Sequence, residues 1–296
     1  MFHGPSTVSA NGAGTSNVVT MQAHTGSTAL AVDLLGSLEV DAFTITGVST
    51  QTKITVTGDL KQDVGSGDDI VTIISTAVAA SSGQTIDVTG LIDSTTSITG
   101  SAGKDTILGS AGKDTIIGGA NADTINISTG GDDTIVYLNL PAETGRVQNK
   151  TKTDGVSVAL ETGDLKANEY ISTSGLDKII GFTAGDKIVT NTVSGSTPVN
   201  TTAKQTIGSA LGVGTKLSDG DDIDAATTVD IFVTGTYDAA SNRFTFSDGG
   251  ADTLYLVEAS GSASTEVYHG IVLVGYVAGG ANGTSPTGLV GAALPA

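Results

Sequence analysis

The stretch Gly100-Ser101-Ala102-Gly103-Lys104-Asp105-Thr106-Ile107-Leu108 is followed at once by Gly109-Ser110-Ala111-Gly112-Lys113-Asp114-Thr115-Ile116-Ile117, and then by Gly118-Gly119-Ala120-Asn121-Ala122-Asp123-Thr124-Ile125-Asn126. Aspartate returns every nine residues through these three copies. A slipped fourth copy ends in Gly131-Asp132-Asp133-Thr134-Ile135-Val136, and an isolated one stands upstream as Gly67-Asp68-Asp69-Ile70-Val71. Self-similarity at a fixed short period marks a stacked architecture, in which one unit cannot bury its apolar face without its neighbours.

The physics of one repeat follows from its residues. Six Gly-rich residues suit a tight turn with left-handed backbone, which glycine takes freely and which Asn121, standing where the third-turn glycine is expected, tolerates. The three residues that follow make a short strand whose central Ile points to one face and whose neighbours point to the other. Ile107, Ile116, Ile125 and Ile135 are therefore expected to stack as a ladder, each contributing about 1.5–3 kcal/mol when buried. The Asp that closes each turn meets the Asp of a stacked turn. Two stacked carboxylates repel, and a hard dication that takes oxygen ligands, partly from turn carbonyls, is the natural remedy. The other reading is a metal-free β-solenoid whose aspartates cap turns, as Asp commonly does.

Composition bounds the rest. The 296 residues carry 31 Asp plus Glu against 13 Lys plus Arg, a net charge of −18, and no Cys. Missing cysteines exclude disulfide frameworks, zinc ribbons and thiol catalysis. With two arginines, Arg146 and Arg243, in so acidic a chain, nucleic acid is excluded as a partner. Gly at 41 of 296 is about twice the usual ~7% and breaks helical runs, as do the many Thr and Ser, so the composition favours an all-β fold. The longest apolar run, Ile271-Val272-Leu273-Val274-Gly275-Tyr276-Val277-Ala278, falls far short of the ~18 residues a membrane span needs and reads as a buried strand, so membrane insertion is not expected. Met1-Phe2-His3-Gly4-Pro5-Ser6 has neither a basic nor an apolar leader region, so the chain is expected to be cytosolic or to be exported by a route that does not read its N-terminus.

The tandem array resembles the glycine- and aspartate-rich nonapeptide of RTX proteins, the calcium-binding parallel β-roll, whose pattern is Gly-Gly-x-Gly-x-Asp-x-apolar-x. The resemblance implies Ca2+ as the cofactor and assigns as ligands the carboxylates of Asp105, Asp114, Asp123 and Asp133, with carbonyls near Gly103, Gly112, Asn121 and Gly131. Successive turns of a β-roll alternate between its two edges, so Asp105 is expected to face Asp123, and Asp114 to face Asp133. Ser101 and Ser110 depart from the second Gly of the pattern, and Lys104 and Lys113 place positive charge beside the ligands, so fewer or weaker sites than in a long array are expected. Asp69 is a further candidate ligand in the isolated copy.

Around the array the chain divides into an N-terminal segment (1–50), a β-solenoid with the repeats (51–140), a linker or inserted loop (141–168) and a C-terminal β domain (169–296). Phe43-Thr44-Ile45-Thr46, Lys53-Ile54-Thr55-Val56-Thr57 and Gln84-Thr85-Ile86-Asp87-Val88-Thr89 alternate apolar and polar residues, the period of half-buried strands. For Met21 to Leu35 a helix and a β-extension are equally open. The segment Leu176-Asp177-Lys178-Ile179-Ile180-Gly181-Phe182-Thr183-Ala184-Gly185-Asp186-Lys187-Ile188 is similar to the one that closes the roll in serralysin-type and other RTX proteins. That similarity implies that Phe182 covers the open end and makes Asp177 and Asp186 candidate calcium ligands; a plain hairpin around Ala184-Gly185-Asp186 is the alternative. Asp230 to Tyr237, Arg243 to Gly249 and Asp252 to Val257 read as a strand meander. The small, apolar tail Gly288-Leu289-Val290-Gly291-Ala292-Ala293-Leu294-Pro295-Ala296 suits the uncleaved C-terminal signal of RTX proteins exported by type I secretion.

Catalytic motifs find no support in the sequence. His3, His24 and His269 form no His-Glu-x-x-His helix, there is no Gly-x-Ser-x-Gly elbow or phosphate-binding Gly-Lys-Ser/Thr loop, and His269 reads as a strand-edge residue. No catalytic residue is assigned and the chain is expected not to be an enzyme. Three functions fit this scaffold. The first is an extracellular, calcium-dependent structural protein of the cell surface, a surface-layer or matrix component that self-associates into a lattice or oligomer after passing the type I secretion apparatus, as resemblance to the C-terminal parts of proteobacterial surface-layer proteins implies. The second is an adhesin or ligand-binding module, with cell-surface polysaccharide as its candidate partner. The third is the carrier half of a secreted enzyme.

Overall fold

The computed structural model describes residues 6–7, 18–22, 29–34, 42–46, 52–58, 70–75, 83–92, 94–160, 164–190, 205–206, 229–258 and 268–278. The chain forms two compact units: the first comprises Met1–Tyr137 with Gly185–Ile188, the second Leu138–Ala184 with Val189–Ala296.

The first unit is a parallel β-roll. Its strands are β1 (Ser6–Thr7), β2 (Val18–Gln22), β3 (Ala29–Leu34), β4 (Ala42–Thr46), β5 (Lys53–Gly58), β6 (Ile70–Ile74), β7 (Thr85–Leu91), β8 (Thr95–Thr99), β9 (Thr106–Leu108), β10 (Asp114–Ile117), β11 (Thr124–Asn126) and β12 (Thr134–Tyr137). Odd strands pair in parallel in the order β1-β3-β5-β7-β9-β11, and even strands pair in parallel in the order β2-β4-β6-β8-β10-β12. The chain thus visits the two sheets alternately, and one coil takes two nonapeptides. Of the stretch Met21 to Leu35, open between helix and β-extension in the sequence, the described residues are strand: Met21 and Gln22 end β2 and Ala29–Leu34 form β3.

This alternation corrects the expected single isoleucine ladder. Two ladders form instead. Ile54, Ile86, Ile107 and Ile125 are in register on the odd sheet, and Ile45, Ile73, Ile98, Ile116 and Ile135 on the even sheet. All nine side chains are fully buried. Thr and Ser alternate with them along the strands and stay partly exposed, as at Thr106, Thr115, Thr124 and Thr134. A nine-residue period therefore supplies two inward stacks from one repeating pattern.

The second unit is built mainly of antiparallel strands. A helical turn, α1 (Leu140–Glu143), precedes β13 (Arg146–Val147), β14 (Asn149–Thr151), β15 (Ser157–Ala159), β16 (Tyr170–Ser172) and β17 (Asp177–Ile180). After β18 (Lys187–Thr190) come β19 (Gln205–Thr206), β20 (Val229–Asp238), β21 (Arg243–Phe246), β22 (Asp252–Glu258) and β23 (Tyr268–Val274). The order β17-β23-β22-β20-β21-β16-β14-β15 is antiparallel except for the parallel β17–β23 pair. The expected meander is rearranged, because β20 lies between β21 and β22. Ile171, Val233, Phe244, Phe246, Leu254, Leu256 and Val272 anchor its core. Phe232 stacks on Tyr255 at 4.9 Å, and Arg243 lies over the Tyr170 ring at 4.3 Å. Phe182 is buried against Tyr276 of its own unit in an edge-on contact at 5.2 Å. His269, read as a strand-edge residue, is buried instead in β23, which pairs there with both β13 and β22, and its Nδ1 lies 3.1 Å from the Thr144 carbonyl.

Candidate metal centre

The turns of the roll bring its repeat aspartates into two vertical stacks, one along each edge. On one edge the amide of Asp105 donates to Asp123 Oδ1 at 2.7 Å, and the amide of Gln84 donates to Asp105 Oδ1 at 2.6 Å. On the other, the amide of Asp114 donates to Asp133 Oδ1 at 2.9 Å, and the amide of Asp133 donates to Asp186 Oδ1 at 2.8 Å. Each carboxylate reaches one coil back and caps the amide of its predecessor. Strand spacing in the stacking direction is about 4.8 Å, so successive carboxylates are close neighbours. All five of these aspartates are buried.

Burial sets the electrostatics. Desolvation pushes the Asp105 and Asp114 carboxyls above the ordinary carboxylate range, opposed by the hydrogen bonds each receives. Asp133 is pushed up to about 7, first by desolvation and further by the negative charges of Asp114, Asp186 and Asp132. Its Oδ2 is buried and accepts no hydrogen bond. A stack of like charges withdrawn from water, with an acceptor facing no donor, calls for a positive partner. Lys104 and Lys113, which the sequence places beside the ligands, extend into solvent.

The space around the carboxylates is kept by glycine. A Cβ added at Gly109 would lie 2.5 Å from Asp114 Oδ2, one at Gly118 2.5 Å from Asp123 Oδ2, and one at Gly131 2.7 Å from Asp133 Oδ1. Main-chain oxygens converge on the same edges. Thr129 Oγ1 lies 2.8 Å from the Gly109 carbonyl oxygen and 2.6 Å from that of Ser110, a hydroxyl with one proton between two acceptors. Carboxylates, carbonyls and a hydroxyl form an all-oxygen donor set, the kind a hard cation such as calcium takes. Among the described residues no group of three or more His, Cys, Asp or Glu side chains is by itself placed to hold a metal ion. Each carboxylate has one carboxylate neighbour per coil step, so the rest of any coordination shell falls to the turn backbone. The residues present fit calcium.

Of the candidate ligands, Asp105, Asp123, Asp114, Asp133 and Asp186 come together in the two stacks. Gly103, Gly112, Asn121 and Gly131 lie in their turns. Asp177 belongs to the second unit, buried in β17, where its amide donates to Thr144 Oγ1 at 3.0 Å. Asp69 lies outside the described residues. Left-handed backbone was expected in every turn; among the described residues of the array it occurs at Gly119, Asn121, Gly130 and Gly131, in the third and fourth turns alone. Two participants escaped the sequence reading. Gln84 and Thr96 hold the aspartate position one coil before Asp105 and Asp114, as their registers show, and Thr96 Oγ1 donates to Asp114 Oδ1. Aligning Gln84-Thr85-Ile86 and Thr96-Ser97-Ile98 on Asp-Thr-Ile is the signal that finds them.

Residues 99–135 match the family model of the RTX calcium-binding nonapeptide repeat, in four copies. The matched segment is thus similar to a calcium-binding repeat array over the four turns that carry Asp105, Asp114, Asp123 and Asp133. No curated protein matches the chain at a significant level.

Proposed function

We propose that the chain is a secreted structural protein that folds on binding calcium after export and assembles at the cell surface as a surface-layer or matrix component. The observation that carries the calcium half of this reading is the buried Asp133 carboxylate, held between Asp114 and Asp186 with one oxygen lacking a donor. Calcium, when bound, supplies the positive charge and oxygen coordination that the stacked turns lack; Asp123 and Asp133, with carbonyls of the turns on either side, are the residues that would hold it. The protein's own part is to desolvate the carboxylates, to align them by capping amides, and to keep room with glycine.

Folding then depends on the cation by mass action. At the low calcium of the cytosol the carboxylate stacks oppose folding and keep the chain fit for export. Outside, calcium binds the folded roll alone and stabilises it. A site with a dissociation constant of ~10⁻⁴ M adds about 1.4 kcal/mol at ten-fold excess, so several sites act together. RTX repeat proteins are typically exported by type I secretion, which supports an extracellular place for this one. The Thr/Gly/Ala-rich β composition and the lack of a catalytic motif in the sequence support a structural rather than an enzymatic role, with other copies of the chain as principal partners and cell-surface polysaccharide as a further one.

Titrating calcium into chelated protein while following far-UV circular dichroism and light scattering together tests this, with magnesium as the control. The expected result is a rise of β-signal accompanied by growth of large ordered particles with calcium and not with magnesium. Folding into a persistent monomer would transfer the weight to a ligand-binding module or an enzyme carrier.

A further inference from the structure

The four turns of the array are of two kinds. In the first two, a serine stands four residues before the aspartate and closes onto it. Ser101 Oγ donates to Asp105 Oδ1 at 2.9 Å while the Ser101 amide donates to Asp105 Oδ2, and Ser101 Oγ in turn accepts the Gly103 amide at 3.0 Å. The second turn repeats this: Ser110 Oγ to Asp114 Oδ1 at 2.8 Å, the Ser110 amide to Asp114 Oδ2 at 2.7 Å, and the Gly112 amide to Ser110 Oγ at 3.2 Å. With the Gln84 amide on Asp105 and the Thr96 hydroxyl on Asp114, each of these carboxylates receives three donors, and both of its oxygens are engaged. None of these turn residues has left-handed backbone.

The third and fourth turns lack this ring. Gly119 takes the serine position before Asp123, with φ of 106° and a backbone oxygen of Ser101 where a Cβ would go, so no side chain fits there. Before Asp133 the same position is Thr129, but its hydroxyl turns away to the Gly109 and Ser110 carbonyls of the preceding coil. Asp133 Oδ2 is left buried with no donor.

We infer that Ser101 and Ser110 do by hydrogen bonding what a cation does in the glycine turns, so that the first two repeats form a calcium-independent platform and calcium binding is confined to the Asp123 and Asp133 turns. The inference rests on the calcium reading above and deepens it: it states which turns need the ion and what excludes it from the others. Three converging donors already occupy both oxygens of the Asp105 and Asp114 carboxylates, and a bound cation would have to displace them. A roll with such a platform has a preformed edge on which the cation-dependent coils can stack.

The test compares the native chain with Ser101→Gly/Ser110→Gly. Bound calcium is counted by equilibrium dialysis, and hydrogen exchange is read over 101–117 and 118–135, with and without chelator. In the native chain, chelation is expected to strip protection from 118–135 and to spare 101–117. The double variant is expected to lose protection over 101–117 in chelator, and to bind at least one more calcium ion per chain than the native protein. If 101–117 and 118–135 lose protection together in the native chain, or if the variant changes neither protection nor stoichiometry, the inference is overturned. Ser110→Ala, which keeps the Cβ and removes one hydroxyl, gives the same readout in one turn should the double variant stay unfolded with calcium. A native chain that binds no calcium overturns the calcium reading itself, and does so before any substitution is made.

Discussion

The amide of Asp133 donates to the carboxylate of Asp186 at 2.8 Å across 53 residues of chain. The Lys187 amide then donates to the Asp133 carbonyl at 2.8 Å, and Ile188 is buried in the same unit. Gly185–Ile188 is therefore one more rung of the roll, laid down after the chain has left at Tyr137 and built part of the second unit. The new rung presents its own aspartate at the repeat position, so the stack on that edge reads Asp114, Asp133, Asp186. Asp133, in the middle, carries the heaviest electrostatic load.

Replacing that middle carboxylate isolates the load. Asp133→Asn keeps an acceptor for the Asp114 amide and removes one charge from the stack. In chelator the variant is expected to be more stable than the native chain, by on the order of 1–3 kcal/mol. With calcium the order reverses, because a ligand has been lost. Thermal melts of both proteins under the two conditions check the crossing.

Acid should do part of the cation's work. Asp133 has its folded pKa raised from 3.8 to about 7, and Asp105 and Asp114 are raised as well. The folded state thus holds more protons than the unfolded one between those values. Stability without calcium is fully present below about the unfolded value and is lost as pH rises through about 7. Chelated protein is expected to melt higher at pH 5 than at pH 8, and saturating calcium, which needs the ionised form, to flatten or invert that slope. Melting temperatures across this range, with and without calcium, give the sign directly.

The isoleucine stacks carry the roll independently of charge. Ile116 is fully buried between Ile98 and Ile135 in the even-sheet ladder. Ile116→Ala is expected to cost about 2–5 kcal/mol, and to do so at saturating calcium. Chemical denaturation in calcium measures it.

In the second unit, Lys150 Nζ lies 3.1 Å from Glu169 Oε2 and donates to the Asp164 carbonyl at 2.8 Å, with both side chains buried. Lys150→Met strands a buried carboxylate and is expected to cost about 3–5 kcal/mol. Adding Glu169→Gln should return much of the loss, since the stranded charge goes with it. Equilibrium unfolding of the single and double variants, followed at the second unit's tyrosines, decides this.

The nine-residue period made the roll legible, because Gly, Asp and Ile each return in phase and each has one physical task in a coil. The facing of Asp105 with Asp123 followed from the alternation of turns between edges. The same alternation splits the isoleucines between two sheets, and reading them as one ladder counted repeats where coils were needed. Upstream coils were harder to see. Gln84 and Thr96 occupy the aspartate position without being aspartates, so composition hides a register that the pairing of β7 with β9 and of β8 with β10 reveals. Asp186 was legible as a candidate ligand through the likeness of its segment to the one that closes the roll, but that it stacks on Asp133, above Asp114, became plain only once the chain's return across 53 residues was in place. The two kinds of turn were written in the sequence as Ser101 and Ser110 against Gly119; what the hydroxyls do became plain only with their partners in place.

The most direct measurement is the calcium midpoint of folding, read by far-UV circular dichroism, for the native chain and for Asp123→Asn/Asp133→Asn side by side. The account predicts that the native chain gains its β-signal cooperatively as calcium is added, and that the double variant needs far more calcium or ceases to respond to it. Equal midpoints, or a native chain folded to the same extent with and without calcium, would contradict it.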